Sequence, residues 1–319
     1  MNLPVPFIVC EIGGNHGGSK ARAIKLIDAA AEAGADAVKF QCFTPDTITL
    51  DSDRPEFKIT EGPWAGRTLH DLYTETATPW EWFPDLFLHA EKAGVTAFSS
   101  VFDKTSVDFL ETLDCPIYKI SSFEITDIPL IEYAASKGKP LIISTGMASD
   151  EEIQHAWVHA DVMLHCVSEY PASIAGSLHK RVLTRGLSDH TLSTVLPAVA
   201  IGMGATVIEK HMTLSRAYGG PDADFSLEPD EFKEMVLNCW EAYEAIQPVA
   251  SPTPYKGLRR SLYACADISS GDTFTEQNVR SVRPGGGVAP KHFPALMGRR
   301  SRRAVPYGHP ITDDDLNPA

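Results

Sequence analysis

One pattern recurs along the first 211 residues of this chain: a short apolar run ending on polar or charged side chains. The runs are residues 7–13, 37–41, 96–102, 117–122, 140–146, 162–168, 186–190 and 207–211. Most are followed by a stretch with helical spacing. After the first run, Ile24, Ile27 and Ala31 share one face of a segment from Ala21 to Gly34, and Ser19 stands where it can cap that helix. Further helices are expected over 79–94, 105–113, 129–137, 150–158, 194–204 and 231–245. Eight strands alternating with helices over about 240 residues predict a closed (β/α)8 barrel, an α/β fold. In such a barrel, neighbouring parallel strands bring their C-terminal ends side by side, and chemistry collects there.

The polar residues of this chain sit at those ends. Glu11 closes the first run, and Lys39 and Gln41 the second. Ser100 lies in the third, Lys119, Ser122 and Glu124 in or just after the fourth, and Ser144 in the fifth. Ser168 closes the sixth and Tyr170 follows it, and Ser188, His190 and His211 belong to the last two. A purely structural sheet would not place so many charged and hydroxyl groups on apolar strands. His190 and His211 are 21 residues apart across one strand–helix–strand unit, so both imidazoles should face one cleft. That arrangement suits a divalent metal with open positions for substrate or water. The segment from Thr44 to Thr68, with three prolines, is long for a connecting loop and is expected to form part of the mouth of the site.

Composition narrows the function. The net charge of −14 argues against general nucleic-acid binding. No apolar run approaches the roughly 18 residues a membrane span needs. The start, Met1-Asn2-Leu3-Pro4, has no basic segment of the kind that opens a signal peptide, and the six cysteines form no C-x-x-C pair. A cytoplasmic protein with reduced thiols is expected. Three prolines within Gln247–Pro254 mark a stiff linker. The division is therefore residues 1–246 for the barrel, 247–260 for the linker, and 261–319 for a small β-rich unit. Residues 254–319 carry ten Lys or Arg against six Asp or Glu, whereas the remainder is strongly acidic.

Several ordered motifs carry a resemblance. They are Glu11-Ile12-Gly13-Gly14-Asn15-His16, Val38-Lys39-Phe40-Gln41, Tyr118 to Glu124, Ser144-Thr145-Gly146-Met147, Gly186 to Thr191 and Ile208-Glu209-Lys210-His211. Gly220-Pro221-Asp222 and Phe225-Ser226-Leu227 complete the set. The chain resembles the sialic acid synthase family, in particular its pseudaminic acid synthase branch. Its tail, from Arg260-Ser261-Leu262-Tyr263 through Val282-Arg283-Pro284-Gly285, is similar to the antifreeze-like (SAF) domain that closes these enzymes. Ser168, where N-acetylneuraminate synthases usually carry Asn, and the stretches Phe43 to Asp46 and Thr78 to Trp82 favour that branch. Residues 150–161 and 172–185 are shorter than the family norm, which predicts a thin barrel wall after strands five and six.

The resemblance implies condensation of phosphoenolpyruvate with an N-acylated amino sugar, giving a nine-carbon 2-keto acid and phosphate. For this branch the sugar is 2,4-diacetamido-2,4,6-trideoxy-L-altrose. It implies Mn²⁺ or Mg²⁺ on His190 and His211. Phosphate and carboxylate would be held by Lys39, Lys119, Ser122, Ser144, Ser188 and, across a domain-swapped homodimer, Arg283. Glu11 and Glu124 are the candidate acid–base groups. Gln41, Tyr170 and Asp222 match positions that handle sugar or the metal's surroundings, although Pro221-Asp222 also reads as a turn. Glu209 and Lys210 stand equally as structural or functional, and His16 as a loop-stabilising residue or a ligand. Three alternatives stay open. The sugar can be that of an N-acetylneuraminate or legionaminate synthase. A strand-end lysine (Lys39, Lys119 or Lys210) can form a Schiff base, as in aldolases. Or the C-terminal unit alone can bind sugar or ice.

Overall fold

The computed structural model describes residues 3–178, 185–248 and 256–316 and divides the chain into two compact units, Met1–Gln247 and Pro248–Ala319. In the first unit eight parallel strands close on themselves in sequence order. They are β1 (Phe7–Glu11), β2 (Ala37–Cys42), β3 (Thr96–Val101), β4 (Tyr118–Ile120), β5 (Leu141–Ser144), β6 (Val162–Cys166), β7 (Arg185–Asp189) and β8 (Val207–His211). The expected barrel is present. β1 closes it by pairing with β8. The strands are apolar because they are buried on both faces: Ile8, Val9, Val38, Phe40, Phe98, Ile120 and Ile143 have no exposed surface.

The surrounding helices are α1 (Lys20–Ala33), the short α2 (Pro45–Ile48), α3 (Leu69–Thr76), α4 (Phe83–Ala93), α5 (Lys104–Glu111), α6 (Ile128–Ala135), α7 (Asp150–Trp157), α8 (Leu196–Gly202) and α9 (Pro229–Ile246). The Ser19 hydroxyl caps α1 by accepting from Arg22 N, and Gly34 ends that helix at φ +90°, a conformation glycine adopts without cost. Two expectations shift in detail. The helix expected over 79–94 is a 3-10 turn at Trp80–Trp82 followed by α4, because Pro84 is tolerated only in a first helical turn. The segment after β2 contains α3, which the sequence reading did not anticipate. Its Thr68 cap accepts from Asp71 N. The wall after β5 is the eight-residue α7, and the described part of the β6–β7 connection contains no α-helix.

The second unit has a two-stranded antiparallel sheet, β9 (Ser261–Ala264) with β10 (Val279–Val282), extended by isolated bridges such as Ile268 to Val305. A last short helix, α10, spans Phe293–Leu296. Leu262, Phe274, Val279 and Ile311 are among the buried residues of its own small core. Among the described residues no helix is long and apolar enough to cross a membrane.

Candidate active site

Strand register brings the strand-end side chains together. Glu11 is level with Lys39 on one side and with His211 on the other, Ser100 with Gln41 and Lys119, and Ser188 with Glu209. Successive side chains of a strand point to opposite faces, so Lys39 shares a face with Gln41, and Glu209 with His211. The result is a buried charge cluster. The Lys39 ammonium lies 2.7 Å from Glu11 Oε2 and 3.7 Å from Glu209 Oε1, and donates to Ser100 Oγ at 2.9 Å. Lys119 Nζ lies 3.4 Å from Glu209 Oε1, which also accepts from Ser188 Oγ at 3.1 Å. Gln41 Nε2 donates to Glu11 Oε1 at 2.9 Å.

Burial works against the Lys39 ammonium, yet Glu11 and Glu209 hold its pKa above the ordinary lysine value. Burial wins at Lys119, whose pKa is lowered despite Glu209. Burial would raise Glu209, but Lys119 and Lys39 pull it below the usual carboxylate range. Glu11 goes the other way, raised by burial against the pull of Lys39. Burial pushes Glu124 up to about 7.

Around this cluster, hydroxyls and amides line the β4 and β5 ends. Ser122 Oγ accepts from Gly146 N at 3.1 Å, and Ser144 is buried. Gly146 is required by close approach: a Cβ there would stand 2.1 Å from Ser168 Oγ and 2.8 Å from Ser122 Oγ. The Tyr170 ring lies tilted against His190, with ring centres 4.4 Å apart. Asp222 accepts from Gly14 N at 2.8 Å and is pushed up to about 6 by burial. The Asp222 carboxylate approaches so closely that a Cβ on Gly13 would come within 2.4 Å of it. Arg283 belongs to the second unit, exposed in the turn after β10.

The two imidazoles face each other with ring centres 5.5 Å apart. His190 Nδ1 meets the Val167 carbonyl at 3.0 Å and must donate to it, which leaves the lone pair on Nε2. His211 Nδ1 is buried without a hydrogen bond, with Asp222 Oδ2 3.8 Å away. Among the described residues no three His, Cys, Asp or Glu side chains gather closely enough to hold an ion alone. An ion held here would rest on the two imidazoles, His211 Nδ1 being buried and unbonded, with its remaining positions left to substrate and water.

A cavity of about 410 Å³ opens above these strand ends. Gln41 and His211 reach it from strands β2 and β8, and Ser121, Glu124, Tyr170 and Asp222 from the loops that follow β4, β6 and β8. Glu124 Oε2, Ser144 Oγ, Glu209 Oε2 and His211 Nδ1 are buried polar atoms without hydrogen bonds, all at this end of the barrel. Each is available to a bound molecule, and such atoms are expensive to leave unused. Lys39 and Lys119 stay buried among Glu11, Glu209, Ser100 and Ser188, and neither is among the side chains that line this cavity.

Sequence leaves Glu209 and Lys210 open between structural and functional roles, and the structure separates them. Glu209 joins both lysines and Ser188, and its strand parity with His211 was the available signal. Lys210, on the opposite face, donates instead to Asp189, to the Thr191 carbonyl at 2.5 Å and to the Ser193 carbonyl at 3.1 Å. It pins the turn that carries His190. The cavity side chains contributed by α2, α3 and the loop between them had no recognisable sequence pattern.

Comparison with known proteins agrees with this architecture. The model of the NeuB family matches residues 26–250, and that of the SAF domain residues 259–317. The chain is 39% identical to a pseudaminic acid synthase from Campylobacter jejuni, over 97% of this chain and 96% of that one. It is 35% identical to an N,N'-diacetyllegionaminic acid synthase from Legionella pneumophila, over 92% and 90%. The crystal structure of a spore coat polysaccharide biosynthesis protein from Bacillus subtilis, 31% identical, superposes with a TM-score of 0.63 over 100% of this chain and 97% of that one. Family models together matching most of the chain, with relatives this similar over nearly its full length, show that the chain belongs to the NeuB family and carries a SAF domain C-terminal to its barrel.

Proposed function

We propose that this protein condenses phosphoenolpyruvate with 2,4-diacetamido-2,4,6-trideoxy-L-altrose, releasing phosphate and a nine-carbon 2-keto acid. The observation that carries the reading is the buried pair of lysines, Lys39 and Lys119, with Ser100 and Ser188 beside them at the strand ends. Such a cradle suits a small, doubly anionic substrate, and buried cationic and hydroxyl donors are what phosphate and carboxylate oxygens need. Ser122 and Ser144 extend the donor set. The naming of the sugar follows the Campylobacter relative and Ser168. The legionaminic acid synthase relative keeps a differently configured diacetamido sugar as the second reading.

In the reaction, C3 of phosphoenolpyruvate bonds to the aldehyde carbon of the open-chain sugar, and water bonds to C2. Phosphate then leaves with its bridging oxygen, and C2 becomes a ketone. The two protons of that water end on the new hydroxyl and on phosphate, so the equation balances. Glu124, half protonated near neutrality, gives a proton to the aldehyde oxygen. Glu11 accepts a proton from the attacking water. Gln41, bonded to Glu11, and Tyr170, packed on His190, orient the sugar end. His190 and His211, with Asp222 nearby, would hold Mn²⁺ or Mg²⁺, which polarises the aldehyde when bound. The SAF unit brings Arg283 to a barrel mouth of a second copy, where its planar guanidinium pairs with carboxylate or phosphate.

The test is phosphate release with phosphoenolpyruvate, Mn²⁺ and each candidate sugar in turn. Turnover with the diacetamido-altrose sugar at a higher kcat/KM than with its stereoisomers or N-acetylmannosamine is expected. A preference for N-acetylmannosamine overturns the choice of sugar. A keto acid trapped on a lysine by borohydride overturns the reaction class.

A further inference from the structure

The aliphatic lining of the cavity has one chain origin. Ile48, Ile59, Leu69 and Leu72 come from the segment that follows β2, together with Trp64, Tyr73 and Thr76, whereas Gln41, His211 and the loop residues Ser121, Glu124, Tyr170 and Asp222 reach it from the strand ends. That segment crosses the mouth. Trp64 Nε1 donates to the Pro221 carbonyl at 2.9 Å, and its ring lies 5.5 Å from Tyr170 and 6.3 Å from Phe225. A residue from the β2 side is therefore fastened to the loops after β6 and β8, and the aliphatic side chains beside it face the cavity. Aliphatic walls offer no partner to a hydroxyl, so a buried hydroxyl there loses its water without recompense, whereas a methyl group gains.

We infer that the segment spanning residues 48–72 is the specificity wall of the site: Ile48, Ile59, Leu69 and Leu72 receive the methyl-bearing part of the sugar, its 6-deoxy end or an acyl methyl, while the strand ends hold its polar part. This rests on the reading of the previous section, since it presumes that a sugar enters this cavity. The wall selects mainly by its attraction for a methyl group, and only modestly. A site without hydrogen-bonding groups cannot strongly reject an added hydroxyl, and single apolar contacts discriminate by about 10- to 200-fold. The wall is therefore expected to favour the 6-deoxy sugar over a 6-hydroxy analogue by one to two orders of magnitude. It leaves phosphoenolpyruvate binding, which the lysines govern, untouched.

The experiment compares kcat/KM for the diacetamido 6-deoxy sugar with that for N-acetylmannosamine, in the unsubstituted protein and in Ile59→Asn and Leu69→Asn. Both positions are only partly buried and line the cavity, so neither variant removes a core side chain. Thermal melting and the KM for phosphoenolpyruvate are measured alongside. The expected result is a ratio lowered at least about tenfold in each variant, with the KM for phosphoenolpyruvate unchanged. A ratio within twofold of the parent in both folded, active variants overturns the wall and leaves the reaction standing. If the unsubstituted protein releases phosphate with no sugar at all, the reaction itself falls, and the wall with it.

Discussion

Lys210 is the residue whose role the structure changes most, and its removal gives a quantitative test. Its side chain is wholly buried and paired with Asp189, whose side chain is 2% exposed. Lys210→Met would strand the Asp189 carboxylate in the interior, with Thr191 N at 2.9 Å and Thr191 Oγ1 at 3.1 Å the donors left to it among the described residues. Breaking one side of a buried pair costs about 3–5 kcal/mol. The two Thr191 donors keep the expected loss near the lower end, about 3 kcal/mol. Adding Asp189→Asn removes the stranded charge. What then remains is the Thr191 and Ser193 carbonyls without their donor, at about 1 kcal/mol each. The double variant should therefore be more stable than Lys210→Met alone, with a coupling of about 2 kcal/mol or more in the cycle. All five tryptophans lie in the barrel unit, so fluorescence-detected unfolding in guanidinium follows that unit alone. Both lysine variants should also lose turnover, because the turn they loosen carries His190. Additive losses, or a Lys210→Met barrel within about 1 kcal/mol of the parent, would refute the pin. Full turnover by Lys210→Met would free His190 from any dependence on it.

Chelation should abolish phosphate release and Mn²⁺ restore it. His190→Ala and His211→Ala should stay folded yet bind Mn²⁺ far more weakly by calorimetry, and full activity of metal-free protein would refute the two-imidazole centre. Glu124, at about 7 when folded against 4.5 for the free side chain, should place a limb in the kcat/KM profile, with activity falling as pH rises past about 7. Glu124→Gln should erase that limb and cost about 10²- to 10⁴-fold in rate. The sign for stability follows: between pH 4.5 and about 7 the folded state holds a proton the unfolded state has released, so stability falls as pH rises, a slope absent in Glu124→Gln. Mixing Arg283→Ala with His190→Ala chains should regain about a quarter of the parent's sites if random dimers share sites in trans. No recovery, or a fully active monomer by sedimentation, refutes the shared site.

The sequence alone determined the architecture. Eight apolar runs can be satisfied only by burial on both faces, and the intervening helical periodicity leaves a closed parallel barrel as the economical solution. The same pattern located the chemistry, because a charged or hydroxyl group at the end of an apolar strand has little structural purpose. Strand β8 lies at the very residues read as a strand, and α1 begins at its expected cap. Parity within β8 was legible too: Glu209 and His211 alternate with Lys210, so one strand serves both cavity and scaffold.

Register and packing decided the rest. Spacing along the chain does not say that Glu209 joins Lys39, Lys119 and Ser188, since those contacts span separate strands whose stagger is a property of the closed sheet. Nor does it say that Lys210 turns away to Asp189, a neighbour only through the pairing of β7 with β8. The 48–72 segment was the least legible part. Its residues follow neither a helical nor a strand period throughout, and what places Trp64 over the mouth is a single long-range bond to Pro221 and two aromatic contacts. Local propensity specifies elements, whereas contacts between distant segments exist only once the chain has closed around them.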